Sequence, residues 1–504
     1  MFFRSLGAAA QTPDAMDIDF RGSPDREIGQ ATGQPGREAR MNTTTSTGGA
    51  GAAPKPFAEI QRAISEKRHD DAIALAERVV AAAPQRSDAW NALGVALRAS
   101  GKPRAAMGCY RRALDLSPDD PAALANLGNA TKDLQRYAEA IALHRRVLAK
   151  QPDSTAWTNL GVALHDGGML VEALAAFEQA IRINPRNASA QFDRSQVLLR
   201  LGRFEEGWAA FEWRWRLPDK PPIPGYPTPL WDGKELQGTL LAWPEQGFGD
   251  AILSVRFLPA LRSRVRRVAL GCKPELMRLF SALPGVDELV AIGAPAPEHA
   301  AHAPFMSLPG KVMRSLADLP PPARLHVPAD SRARLAPLIA QAGRRLKVGI
   351  VWSGSVTFKA NAQRATGLDR FLAFAEVPDV QLFSLQKGPR AEELAMSGAR
   401  NYIIDLGRHC QDFADTAAAI DQLDLVIMTD SSVAHLAGSL GKPIWNLLPF
   451  SPYWLYLEGR SDTPWYPSMR LFRQRAPGDW DSVFAEARHA LEELARRHAR
   501  QTGA

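Results

Sequence analysis

At 504 residues the chain exceeds what one hydrophobic core supports, and usual domain sizes imply about three folded units. Its composition is that of a globular protein, 45% hydrophobic and 23% charged; no run approaches the ~18 apolar residues that span a bilayer, and the opening residues lack the apolar core and cleavage site of a secretory leader. A net charge of +7 and a pI near 9.4 suit acidic partners, yet the Arg residues are interleaved with Glu and Asp, so no nucleic-acid partner is expected.

A cytoplasmic location is expected, with peripheral membrane association left open. Residues 1–54 are rich in Gly, Ala, Ser, Thr and Pro. They are expected to be a disordered N-terminal segment, because they bury too little apolar surface to offset the entropy of ordering. Whether translation begins at Met1 or Met41 stays open. Cys109, Cys272 and Cys410 are odd in number and far apart. With no CxxC pair and no His at ligand spacing, they read as buried thiols rather than disulfides or zinc ligands.

A repeat runs through residues 55–217. Pro84, Pro118, Pro152 and Pro185 are spaced by 34, 34 and 33 residues, and Ala72, Ala106, Ala140 and Ala173 each stand 12 residues before them. Gly94, Gly128 and Gly161 make a third register. The missing residue falls in a turn between repeats, which spares the helices. Small residues let two helices approach, apolar residues at i, i+3 and i+4 bury the seam, and proline ends the second helix. Each hairpin completes its core against its neighbours. The expectation is an all-α helical-hairpin solenoid with an atypical first unit, three regular repeats and an unusual last unit. That last unit carries Trp208, Phe211, Trp213 and Trp215, which are expected to pack on the following domain. The array resembles the tetratricopeptide repeat family, with Trp90, Leu93, Gly94, Ala106, Tyr110, Ala113 and Pro118 at its signature places.

Residues 218–239 are expected to be a stiff connector, with six prolines between 218 and 229. Short apolar runs then alternate with amphipathic stretches, as in α/β units with a parallel sheet. Residues 240–340 and 341–492 read as two doubly wound, Rossmann-like lobes, followed by a tail at 493–504. The strands expected are LLAW, VRRVALGC and DELVAIG in the first lobe, then KVGIVWSG, VQLFSLQ, NYIIDLG, DLVIMTD and KPIWNLLP in the second. The segment holding HAPFMSLPG reads as loose. Two such lobes imply a cleft, because these sheets bind ligands outside the carboxyl ends of their strands.

Three strand-end segments could carry chemistry. In PEQGFGDAI, Gly247 and Gly249 permit close backbone approach, and Asp250 either caps a helix or faces a ligand. In TDSSVAHLAGSLGKP, Asp430, Ser431 and Ser432 stand at a helix start that could present donors to a diphosphate, with His435 in the first turn. In WSGSVTFKANAQRATGL, the cations Lys359 and Arg364 could neutralise charge on a leaving phosphate, with Ser353 a further cleft candidate, and Gln386 and Lys387 occupy a similar loop. No H-E-x-x-H, P-loop or G-x-S-x-G sequence and no carboxylate cluster for a metal is present. Neither a metal nor a cofactor is expected.

The segments EQGFGDAI, VGIVWSGS, FSLQKG, DSSVAHLAGSLGKPIWNLLP and DTPWYPSMRLFRQ resemble bacterial proteins that join tetratricopeptide repeats to a GT-B glycosyltransferase domain similar to the ADP-heptose heptosyltransferases. In architecture the chain is also similar to the protein O-linked N-acetylglucosamine transferases. The resemblance implies a second lobe that binds a nucleoside-diphosphate sugar as substrate and a first lobe that meets a protein or glycan acceptor brought by the repeats. It implies Asp250 as catalytic base, Ser431, Ser432 and His435 at the diphosphate, and a cation in the loop of Lys359. The expected activity is inverting, metal-independent sugar transfer. Two alternatives are a non-catalytic scaffold with a degenerate sugar-nucleotide fold, and an epimerase or phosphorylase on the same two-lobed fold.

Overall fold

A computed structural model describes residues 55–218, 220, 222–356 and 361–503. The segment 1–54, expected to be disordered, lies outside these described residues.

Five helical hairpins open the described chain: α1 (Lys55–Ser65) with α2 (His69–Ala82), α3 (Ser87–Ala99) with α4 (Pro103–Leu116), α5 (Pro121–Asp133) with α6 (Tyr137–Lys150), α7 (Ser154–Asp166) with α8 (Leu170–Ile183), and α9 (Ala188–Arg200) with α10 (Phe204–Phe211). Each of the expected prolines follows the end of a second helix within two residues. Asp120, Asp153 and Asn187 cap first helices through their side chains. The glycine register has a definite cause. A Cβ on Gly161 would lie 2.6 Å from the ring of Phe177, one on Gly128 would lie 2.8 Å from the ring of His144, and Gly94 meets Tyr110 in the same way. Each glycine on a first helix makes room for a ring from the second.

A 3-10 turn, Glu212–Arg216, ends the array. Trp208 and Phe211 are buried in the same core as the following α/β region, and Trp215 packs on Trp243 at 5.7 Å. Trp213 is half-buried beneath the Arg216 guanidinium. The aromatic unit thus packs on its neighbour, as expected. The connector is packed as well: Trp231 is buried and its backbone N–H donates to the carbonyl of His302.

The rest is a parallel-sheet α/β region. β1 (Leu236–Trp243), β2 (Val265–Cys272), β3 (Glu288–Ala291) and β4 (Ala301–Pro304) form one sheet in the order β3-β2-β1-β4. β1 thus begins inside the residues assigned to the connector. β4 is the segment that read as loose; it is four residues long and ends on a proline, so it carries no periodic signal, and its place is set by pairing with β1. β5 (Leu346–Val351), β6 (Val380–Ser384), β7 (Ile404–Asp405), β8 (Leu425–Thr429), β9 (Ile444–Leu448) and β10 (Met469–Arg473) form the second sheet, in the order β10-β9-β8-β5-β6-β7. β10 was not expected. Every described strand pairing is parallel. The principal helices here are α11 (Phe248–Ser254), α12 (Ala329–Ala340), α13 (Leu368–Ala375), α14 (Phe413–Asp421), α15 (Ser432–Ser439) and α16 (Trp480–Thr502). α16 continues through the residues expected to be a tail and buries Leu491 and Ala495 against the second sheet's core. Cys109, Cys272 and Cys410 are free and buried, as expected. No helix among the described residues is long and apolar enough to cross a membrane.

Candidate functional site

In the first sheet the chain moves from β1 outward to β2 and β3, then crosses to β4 on the other side of β1. In the second it moves from β5 to β6 and β7, then crosses to β8 beside β5. Crevices where winding reverses are where open parallel sheets take ligands. Here those crevices lie at the ends of β1 and β4, and of β5 and β8.

Beyond β8, Asp430 is buried and held on both sides. Its Oδ1 accepts from the Tyr456 hydroxyl at 2.5 Å, and its Oδ2 lies 3.4 Å from Nη1 of Arg364. Ser431 is the cap of α15, its hydroxyl accepting from the N–H of Val433 at 3.3 Å. Beyond β5, the Ser353 hydroxyl accepts from the Asn361 amide at 3.2 Å. A Cβ on Gly354 would stand 3.0 Å from Nη2 of Arg364, so glycine lets this backbone lie against the guanidinium. The Gln386 amide, from the loop after β6, clasps the loop after β5: Oε1 accepts from the N–H of Trp352 and Ser353, and Nε2 donates to the Ser353 carbonyl at 3.0 Å. The Lys387 ammonium donates to the Cys410 carbonyl. Gln386 and Lys387 therefore brace loops. Lys359 lies outside the described residues.

Beyond β1, Gly247 caps α11 and donates its N–H to Oδ2 of Asp250 at 3.1 Å. This is the helix-cap geometry that the sequence left as one reading of Asp250. Burial pushes the Asp250 carboxyl up to about 6, aided by the charges of Glu245 and Asp430 and opposed by backbone donors. A Cβ on Gly249 would lie 2.8 Å from His435 Cδ2 and 3.3 Å from Ser432 Cα. The first turns of α11 and α15 are thus in contact, and the two crevices face each other. His435 shares a hydrogen bond through Nδ1 with the Tyr466 hydroxyl at 3.1 Å. Burial lowers its pKa to about 4, Asp430 pulling it up and Arg256 and Arg364 pushing it further down.

Gly247, Gly249, Asp250, Ser432 and His435 therefore meet at one seam, with Ser353, Arg364, Asp430 and Ser431 beside it. Sequence reasoning missed the tyrosines. Tyr456 holds Asp430, Tyr466 holds His435, and burial with the charges of Asp250, Asp430 and Glu245 keeps the Tyr453 phenol far above its usual range. Their signal was the aromatic density of SPYWLYLEG and DTPWYPSM after an apolar strand. Among the described residues no group of His, Cys, Asp and Glu is arranged to hold a metal ion.

Two segments that bear on the seam, the loop after β1 and the one after β9, are tied to the repeat array. Arg214, 1% exposed, lies 4.7 Å from the rings of both Phe211 and Trp215. It donates to both carboxylate oxygens of Glu245, at 2.8 and 2.7 Å, directly before Gln246 and Gly247. Glu245 also accepts from the N–H of Met306. On α9 the buried Arg200 donates to the Ser451 hydroxyl at 2.9 Å and pairs with Glu458. Phe450 stacks on Tyr137 of α6. Residues 450–458 thus carry both the array contacts and Tyr456.

The Tetratricopeptide repeat family model matches residues 57–121, 125–185 and 170–212. The protein FlbA of Caulobacter vibrioides is 31% identical over 453 residues, covering 82% of this chain and 74% of that protein. A match of that length exceeds the array and runs into the parallel-sheet region. Tetratricopeptide repeat protein 8 of Caenorhabditis elegans is 30% identical over 149 residues, 29% of this chain and 28% of that protein. The crystal structure of MamA is 22% identical, covering 31% of this chain and 91% of that one, with a TM-score of 0.27.

Proposed function

The chain belongs to the family of the Caulobacter vibrioides protein FlbA, and from that premise we propose that it is a glycosyltransferase of GT-B type whose two parallel sheets are a donor lobe and an acceptor lobe. The observation that carries this reading is the meeting of two reversal crevices, with a helix start on one side and a carboxyl of raised pKa on the other. The sugar would come from a nucleoside-diphosphate sugar. The acceptor, a protein or a glycan, would be brought by the repeat array.

In this mechanism the acceptor oxygen forms a bond to the anomeric carbon as the bond from that carbon to the diphosphate breaks, with inversion. The acceptor's proton passes to Asp250, whose pKa near 6 suits a base at neutral pH. The start of α15 and Arg364 stabilise the departing diphosphate. Because α11 and α15 touch at Gly249 and Ser432, donor entry in this mechanism requires their first turns to part.

A non-catalytic repeat scaffold fits the family relationship equally well. It is favoured by the capping roles of Asp250 and Ser431, which need no ligand. A thermal-shift panel with UDP-, GDP-, ADP- and CMP-sugars separates the two. The transferase reading expects a shift with one donor, lost in His435→Ala, and turnover lowered on the order of 10²- to 10⁴-fold in Asp250→Asn with the donor still bound. Silence across the whole panel supports the scaffold.

A further inference from the structure

Arg256 is a buried cation without an anion. Its residue is 2% exposed, it sits in the turn after α11, and among the described residues no carboxylate pairs with it. One guanidinium nitrogen, Nη1, donates to the Trp465 carbonyl at 2.9 Å; Nε and Nη2 make no further close hydrogen bond among the described residues, and the Tyr466 side chain is the polar group that faces the cation. The guanidinium carbon lies 4.7 Å from the Tyr466 ring centre. An uncompensated charge in such a place is costly, so its effect on its neighbours is the informative quantity.

The neighbour is the hydroxyl of Tyr466, which shares a hydrogen bond with His435 Nδ1 at 3.1 Å. A guanidinium has only donors. The hydroxyl torsion that its field favours keeps the oxygen lone pairs toward the guanidinium and the proton toward His435; in that arrangement Nδ1 accepts and the imidazole proton is on Nε2. Two glycines fit this wiring. A Cβ on Gly438 would collide with the Tyr466 ring, and one on Gly249 would stand 3.3 Å from Nε2 of His435. Nε2 therefore borders the seam between α11 and α15.

We infer that Arg256 and Tyr466 are positioning residues that fix the His435 proton on Nε2, making it a hydrogen-bond donor at the α11–α15 seam for an anionic oxygen such as that of a diphosphate. The ligand class rests on the transferase reading; the wiring does not. The charged groups acting on the imidazole are Asp430, Arg256 and Arg364, with Asp250 on the facing helix.

The test uses the full chain with ¹⁵N in its imidazole rings, long-range ¹H–¹⁵N spectra between about pH 5.5 and 8 where an ordinary His titrates, and the His435 signal assigned by its loss in His435→Gln. Wild type is expected to show Nδ1 bare and Nε2 protonated throughout. Tyr466→Phe should give a mixture of tautomers, Arg256→Met should drift the same way while remaining folded by thermal melting, and Arg256→Lys should restore the wild-type pattern. A proton on Nδ1 in wild type, or a pattern unchanged by both Tyr466→Phe and Arg256→Met, overturns the inference. Calorimetric titration with inorganic pyrophosphate then isolates the ligand: binding about tenfold weaker in Tyr466→Phe supports it. No pyrophosphate binding to wild type, with the tautomer intact, sinks the donor-binding reading and leaves the wiring standing.

Discussion

The middle repeats and the last hairpin share a 34-residue frame and bury different things. In the middle repeats glycine lies on the first helix and accepts a ring from the second, as Gly161 accepts Phe177. In the last hairpin Ser195 stands 34 residues after Gly161, and Gly207 stands 34 after Ala173. The close approach has moved to the second helix, where Gly207 faces Leu199. Trp208 then lies against Trp454 at 5.2 Å, within the α/β core. Charges follow the same division. Arg98 reaches Asp133 of the next repeat from a part-exposed position, whereas Arg214 and Glu245 are 1% and 2% exposed. One motif thus serves as a free-standing solenoid at one end and as a weld at the other.

The sharpest way to break this comparison is Arg214→Ala. Leaving Glu245 buried without its cation should cost about 3–5 kcal/mol, read by urea denaturation of the whole chain. The double variant Arg214→Met with Glu245→Met, which removes both charges, should recover most of that loss. If Arg214→Ala proves nearly silent, the last hairpin is an appended repeat and not a weld.

A smaller effect comes from within the middle repeats. His144 occupies the ring position of Tyr110 and Phe177, yet both its buried ring nitrogens find no partner among the described residues. Burial lowers its pKa to about 4, with Lys132 and Arg98 acting in the same direction. The unfolded chain, with the usual value near 6.5, takes up the proton first. His144 therefore leaves stability flat above about pH 7 and erodes it as the pH falls from about 6.5 towards 4. His144→Phe should stabilise by about 1–3 kcal/mol at neutral pH and by more at pH 5, measured against wild type at each pH. An unchanged acid slope would mean that His144 finds a partner when the chain is folded.

The repeats were legible because three registers, Pro, Ala and Gly, report the same period, and local packing enforces it. The sheets were legible where apolar runs are long, as at β5 and β8. They were not legible at β4 and β10, which are strands because β1 and β9 offer parallel edges to them. At the seam, motif residues such as Asp250, Asp430 and His435 could be named from their spacing. Their partners could not, since Tyr456 and Tyr466 come from segments after β9 and Arg256 from the turn after α11. Arg214 was hidden altogether, because an arginine between two tryptophans reads as a solvated cap until Glu245 is placed opposite it.

The smallest effect is the most discriminating about the weld. Arg98 Nε donates to Asp133 Oδ2 at 2.6 Å across two repeats, but the side chains are 35% and 29% exposed. Water solvates the Asp133 carboxylate once Arg98 is truncated, and Lys132, 3.6 Å from Asp133, still compensates it. Arg98→Ala should therefore cost only about 0.2–1 kcal/mol. That cost should shrink as NaCl rises from about 0.05 M to 1 M, where the screening length falls to about 3 Å, while the cost of Arg214→Ala should change little, because Glu245 is buried and only the Glu212 contact of Arg214 reaches solvent. Denaturation of both variants at both salt concentrations decides the matter. If the two costs are equal, or fall together with salt, then both pairs are effectively solvated and burial has not divided the array into a free end and a fixed one.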